Sequence, residues 1–410
     1  MSALLRPALA ALSAALLSLA LAIALASAPA HAAKRMELAL EDDGVFVDRA
    51  FYDRERALSQ ARALGITRIR ANVIWRAANA SQADLRQRPA NIVYDWRRWD
   101  SLIDAAARYG IRVQLTLTAP APAYATADHR PGVFGPDARQ FGSFVRAAVK
   151  HFKGRVDRYA MYNEPDLGAW LQPLDLAPAL YRELYIAGYR AAKSVDRKAK
   201  VLFGEVLAYR RSKSELSPLR FIREVTCTTQ LKAGTRRKPP RMRSGPCKGL
   251  RADGFAHHPY DYLHSPSQPN ADPDGATMAQ LWRLTGTLKA LAKLHALSTP
   301  SGKELPVYLT EFGYFHSGAY RISEARRAAY LPRAYAIAQR YPTVREMTQY
   351  TLVNPPYGLL GSYFDLGIVG LDGTPLPSYN ALAAWAAQAA SKGQVVLPGG
   401  PISLPPARTP

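Results

Sequence analysis

The sequence predicts an α/β fold, a (β/α)₈ or TIM barrel in a single domain. Three observations carry that expectation. Eight apolar runs of strand length alternate with stretches of helical period. Several of the connections that follow strands are long, as they are where strand C-terminal ends build a cleft. Two of the strands run straight into a carboxylate, Glu164 and Glu311.

In order, the strand runs are 36–40, 66–74, 111–118, 156–162, 200–206, 254–258, 306–310 and 345–352. The first helical stretch, 53–64, stops at Gly65. The second, 96–109, follows Asp95 as N-cap and stops at Gly110. Its apolar positions Trp99, Leu102, Ile103, Ala106 and Ala107 recur at intervals of three and four. Helices at 137–153, 178–195, 218–227, 277–295, 323–341 and 378–390 complete the alternation. An open doubly wound sheet would have fewer strands and a glycine-rich phosphate turn after the first. Here the first strand ends in Glu41-Asp42-Asp43-Gly44, which repels phosphate. The barrel domain is expected over 33–392, and the Pro- and Gly-rich segment 393–410 as a loose tail.

Residues 8–26 are almost entirely Ala, Leu, Ile and Ser, preceded by Arg6 and followed by Ala30-His31-Ala32. That pattern is a secretory signal peptide over 1–32, cut after Ala32. The alternative is a retained anchor, since the run is long enough to span a bilayer. Export implies an extracellular or cell-wall-associated protein with no membrane contact after cleavage. Cys227 and Cys247 then pair as a disulfide, two buried thiols being the alternative. No other cysteine or close histidine pair completes a zinc set.

The 410 residues carry a net charge of +22, and 48% are hydrophobic against 21% charged. Removing Arg6, the one charged residue before 33, leaves +21. Dispersal of the excess along the whole chain argues against a nucleic-acid binder. One dense run stands out between the cysteines: Lys232, Arg236, Arg237, Lys238, Arg241 and Arg243, with no acid from 228 to 246. The plain reading is a solvated, disulfide-closed loop. The sharper one is loose association with an anionic cell-wall polymer. A monomer is expected.

The chemistry sits at strand ends. Tyr162-Asn163-Glu164-Pro165 closes strand four, and Thr310-Glu311-Phe312-Gly313-Tyr314 closes strand seven. A barrel brings both ends to one face, and two facing carboxylates are the minimum for cutting a glycosidic bond. The loops 75–95, 119–136, 259–276 and 353–377 carry Trp75, Tyr94, Tyr124, Phe134, Tyr260, Tyr262, Tyr357, Tyr363 and Phe364, rings that can stack on sugars or pin the loops down. His257 and His258, adjacent on a strand, point to opposite faces and are not a metal pair. Asp42 and Asp43 can bind sugar hydroxyls or cap the next turn.

Asn163-Glu164-Pro165 on strand four with Thr310-Glu311-Phe312-Gly313 on strand seven resembles clan A of the glycoside hydrolases, the 4/7 superfamily, and within it cellulase-like and family 39-like enzymes. The resemblance covers residues 38 to 390. It implies a retaining glycosidase acting on an oligo- or polysaccharide, with Glu164 as acid/base, Glu311 as nucleophile and no metal or other cofactor. It further implies Asn163 on the sugar 2-hydroxyl, Tyr260 on the nucleophile, His258 lining the sugar site and Arg70 keeping Glu311 ionised. Trp75 is expected among the substrate-binding rings. The chain departs from the clan at strand eight, where Met347-Thr348-Gln349-Tyr350 holds no tryptophan, so Gln349 or Tyr350 is expected to stand in. Strand three, Leu115-Thr116-Leu117-Thr118, lacks the histidine found in many cellulase-like members. A non-catalytic glycan-binding or wall-associated protein on the same barrel would have lost one carboxylate, and both are present.

Overall fold

The computed structural model describes residues 35–361 and 363–408; the expected signal segment lies outside them. Eight parallel strands close a barrel in sequential order: β1 Glu37–Glu41, β2 Arg68–Ile74, β3 Arg112–Thr118, β4 Arg158–Met161, β5 Lys200–Val206, β6 Gly254–His257, β7 Val307–Leu309 and β8 Val344–Tyr350. β1 closes the ring by pairing with both β2 and β8, Leu40 lying opposite Ile69 and Gln349. All eight sequence-expected strands are present within a residue or two at each end.

A helix follows each strand: α1 Arg54–Ala63, α2 Arg97–Arg108, α3 Ala138–Phe152, α4 Ala177–Val195, α5 Pro218–Val225, α6 Leu281–Lys293, α7 Glu324–Gln339 and α8 Pro377–Ser391. Each buries an apolar stripe against the sheet. In α2 that stripe is Trp99, Leu102, Ile103 and Ala106, all at most 2% exposed. The N-cap of α2 lies one residue later than expected. Trp96 holds the cap position without a side-chain bond, and Asp95 Oδ1 accepts the Arg97 amide at 3.0 Å.

Strand alternation sends every second side chain toward the barrel axis, and that interior is layered. The lowest layer is ionic. Arg68 and Arg158 share Glu37 at 3.2 and 2.6 Å, Arg68 reaches Asp157 at 2.7 Å, Arg158 pairs with Glu346, and Gln114 donates to Glu346 at 3.0 Å. Ala160, Leu202, Ala256 and Tyr308 form a thin apolar layer. Beyond it, toward the strand C-terminal ends, the interior turns ionic again around Arg70.

Two short strands, Thr228–Lys232 and Arg241–Ser244, form an antiparallel hairpin outside the barrel. The Cys227–Cys247 disulfide spans its base. Segment 393–408 is not the loose tail its composition suggests. Met36 donates to Gln394 O and Val396 to Met36 O, Ile402 donates to Ala107 O, and Arg62 reaches Gly399 O. Val395 is 2% exposed, so apolar anchors and backbone pairing hold a Pro-rich segment that no helix could use. No helix among the described residues is long and apolar enough to cross a membrane.

Candidate active site

The strand ends deliver four carboxylates to one place. Glu41 closes β1, Glu205 lies near the end of β5, and Glu164 and Glu311 follow β4 and β7. Arg70, fully buried on β2, holds three of them. Its Nε and Nη2 grip Glu205 at 3.0 and 2.7 Å, and its Nη1 donates to Glu311 Oε1 at 2.9 Å and also to Glu41. Nη2 further donates to Asn163 Oδ1 at 2.7 Å. One guanidinium therefore fixes the nucleophile candidate and orients the Asn163 amide in a single planar fork.

Glu311 is 8% exposed and takes a second bond from the Tyr260 hydroxyl at 2.9 Å. His258 lies between the two glutamates, its Nδ1 at 2.9 Å from Glu164 Oε1 and 3.6 Å from Glu311 Oε2. One ligand atom from each of these three residues lies within 4.8 Å of the others. Such a set could hold a cation, though Arg70 already places a fixed positive charge on Glu311. His257 takes the opposite strand face, as alternation requires, against the carbonyls of Val206 and Ala276.

The electrostatics follow from burial and neighbours. Burial raises the Glu311 carboxyl above its ordinary value, while His258 and Arg70 pull it back. For His258 burial acts downward, but the charge of Glu311 and the hydrogen bond that Nδ1 donates to Glu164 outweigh it and the imidazole is raised. Glu41 is pushed well up by burial and by the carboxylates of Glu311, Asp43 and Glu205, against the pull of Arg70.

The backbone here is held in unusual conformations. Tyr162, Glu164 and Glu205 have φ of 77°, 37° and 54°, a left-handed region costly for side-chain-bearing residues. Glu164 N donates to Glu205 O at 3.0 Å, Asn163 N to Thr118 Oγ1 at 3.0 Å, and Leu207 N to Asp166 at 3.0 Å. These bonds tie the ends of β3, β4 and β5 into one frame.

An aromatic wall rises from the nucleophile candidate. Tyr260 stacks on Tyr262 at 5.4 Å, Tyr262 on Phe315 at 6.3 Å, and Phe315 meets Phe364 edge-on at 6.2 Å. Tyr350, at the end of β8, contacts Phe364 at 6.1 Å. The wall ends in solvent, with Phe364 59% and Tyr320 41% exposed. Arg211, clamped by Glu215 at 2.7 Å, lies 4.4 Å over the Tyr262 ring.

Two expected substrate-binding residues, Trp75 and Gln349, are corrected, and the alternatives left open for Tyr124, Asp42 and Asp43 fall to their structural side. Trp75 faces the helix layer, stacked on Phe144 at 5.4 Å and 1% exposed, because it opens the short helix Trp75–Ala78 instead of reaching into the cleft. Tyr124 likewise turns inward, its hydroxyl on Asn79. Gln349 points away from the barrel axis, since Glu346, Thr348 and Tyr350 take the inward parity of β8. Its amide donates to the carbonyls of Tyr350 and Thr351 at 3.1 and 3.2 Å. Asp42 and Asp43 serve the backbone and Asn72 instead of a ligand. Glu205 and Glu41 escaped the sequence reading. Glu41 carried a signal, a carboxylate where an apolar strand runs out, whereas Glu205 lies inside an apolar run.

No protein-family model matches the sequence. No curated protein matches it either. Solved structures do. A family 39 glycoside hydrolase from Bacteroides cellulosilyticus WH2 superposes with TM-score 0.61 at 19% identity, over 87% of this chain and 64% of that one. A GH39 β-xylosidase from Caulobacter crescentus gives 0.56 at 18%, over 86% and 71%. Xylanase 10B from Thermotoga petrophila RKU-1 gives 0.53 at 16%, over 87% and 95%. The chain has the fold of these barrel glycosidases. It spans less than two thirds of the first of them, so the likeness concerns the barrel.

Proposed function

We propose that this protein is an exported retaining glycoside hydrolase of the clan A type, with Glu311 as nucleophile and Glu164 as acid/base. The observation that carries the reading is the convergence of Glu164 and Glu311 on one point with His258 between them. One ligand atom of each of the three lies within 4.8 Å of the others, which is closer than an inverting pair with an intervening water would stand. Retention works with carboxyl groups about 5–5.5 Å apart, whereas inversion needs about 6.5–9.5 Å to admit a water.

In the first step Glu311 Oε2 or Oε1 bonds to the anomeric carbon while the bond from that carbon to the leaving oxygen breaks. The proton of Glu164 goes to that oxygen. In the second, Glu164 takes a proton from water, whose oxygen bonds to the anomeric carbon and releases Glu311. Tyr260 and Arg70 stabilise the charge returned to Glu311. Arg70 occupies the Asn163 oxygen, which leaves the Asn163 NH₂ to donate to a sugar hydroxyl. His258, raised by its carboxylate neighbours, is positioned to hold Glu164 in register. Tyr350, at the end of β8, is the ring left to stand in for the clan's tryptophan. The substrate is a carbohydrate, as the fold relatives are a xylosidase and a xylanase by name.

The test is product release by the secreted chain, residues 33–410, from aryl glycosides and from plant, fungal and bacterial wall polysaccharides, beside Glu164→Gln. Release that vanishes in the variant supports the reading and names the sugar. A folded protein that releases nothing from any of them overturns it in favour of a glycan-binding barrel.

A further inference from the structure

The hairpin outside the barrel carries a charge pattern that the catalytic reading does not use. Lys232, Arg236, Arg237, Lys238, Arg241 and Arg243 are all exposed. Among the described residues none of them has an ion-pair partner; the neighbouring pairs, Arg220–Glu224 and Arg223–Asp274, belong to the preceding helix. On the second strand Met242 turns inward at 8% exposure, so Arg241 and Arg243 share the outer face, about 7 Å apart. Lys232 lies directly opposite Arg241 in the register.

That arrangement is unfavourable on its own. Like charges opposed across a strand pair repel, and an isolated two-stranded hairpin is marginal in water. The Cys227–Cys247 bridge and packing on α6 hold it regardless, Pro240 lying against Gly286. A fixed, uncompensated row of cations is poised for a polyanion.

A cavity of about 180 Å³ lies between hairpin and barrel. Its lining mixes apolar faces (Leu219, Pro273, Trp282) with Gln230, Lys238 and Arg283. Arg236 and Arg283 flank the Trp282 ring at 5.8 and 5.4 Å. Pro273 belongs to the loop that follows β6 and carries Tyr260 and Tyr262. An aromatic face framed by guanidinium groups matches a ring-shaped unit bearing carboxylate or sulfate, and the open cation row matches the units that follow. Nucleic acid is the lesser match: residues 228–246 contain no aromatic side chain and Trp282 is, among the described residues, the one aromatic ring lining the cavity, so successive bases of a strand would have nothing to stack on.

We infer that the disulfide-closed hairpin and Trp282 form a second carbohydrate-binding site, separate from the catalytic cleft, for an acidic polysaccharide. The site stands whether or not the barrel cleaves glycans.

Binding of the intact secreted chain to polygalacturonate, dextran sulfate, neutral dextran and a DNA duplex tests it. One variant replaces Lys232, Arg236, Lys238, Arg241 and Arg243 with Gln. A second removes the same charge elsewhere, at Arg86, Arg139, Arg190, Arg326 and Arg333. Unchanged melting temperatures show that both are folded. The expected result is binding to the acidic polysaccharides only, weakened on the order of tenfold or more by the hairpin variant and far less by the second. Equal weakening by both would show general attraction to a basic protein and overturn the site. So would an unaffected hairpin variant, or tighter binding to the duplex than to either polysaccharide.

Discussion

Two arginine–carboxylate layers occupy the same barrel and behave in opposite ways. At the base, Arg68 and Arg158 meet Glu37, Asp157 and Glu346; the outermost acids are drawn down, Glu37 from 4.5 to about 2 although burial pushes it up, and only the enclosed Glu346 is raised by burial. At the top, Arg70 is the one arginine among the described residues facing Glu41, Glu205 and Glu311, with His258 beside Glu311, and Glu41 and Glu311 are still pushed up. The residue types are the same. What differs is the ratio of cations to acids and the access of the lower acids to water. The base is a brace, whereas the top holds carboxylates under mutual repulsion, the condition from which reactive ones are drawn.

The largest test of that contrast is Glu311→Ala. Turnover should fall on the order of 10⁴-fold or more, and azide should restore it as a glycosyl azide. Absence of rescue in a folded variant would remove the nucleophile role from the upper layer. Arg70→Met comes next. It strands three buried acids, and urea unfolding should show a loss of about 3–5 kcal/mol. Stability equal to the parent's would mean the upper layer is not held by its cation.

Glu37→Gln probes the base. A depressed carboxyl contributes stability above its unfolded pKa, lost as pH falls. The variant should be on the order of 2–3 kcal/mol less stable at pH 7, and the difference should shrink as pH drops from 4.5 toward 2. Activity should persist. Glu41→Gln gives the smallest effect and the opposite sign. A raised carboxyl costs stability as pH climbs past its unfolded value, so this variant should be on the order of 1 kcal/mol more stable at pH 7, with a flatter profile from pH 5 upward. Parallel profiles for the two variants would erase the distinction between the layers.

The sequence made the architecture legible because each barrel strand is a short apolar run bounded by a helix stop. Glu164 and Glu311 were legible because flanking Asn-Glu-Pro and Thr-Glu-Phe-Gly strings mark them. Glu205 sits in Phe203-Gly204-Glu205-Val206, where a lone acid in an apolar run looks like an exposed edge. Only the geometry shows Arg70 reaching it. Gln349 and Tyr350 were inseparable until strand parity was fixed by Glu346 meeting Arg158. The order of 393–408 depends on backbone bonds to Met36 and Ala107, contacts across the chain that no local pattern encodes.

Barrel closure also has a timetable. Glu37–Glu41 pairs with Val344–Tyr350, so one edge of β1 stays open until nearly the whole domain has left the ribosome. Arg158 waits as long for Glu346, and Arg70 waits for Glu311 until the seventh strand has been made. A nascent chain that cannot finish folding before its last strand arrives remains threadable, and the step that seals the sheet is among the last that synthesis permits.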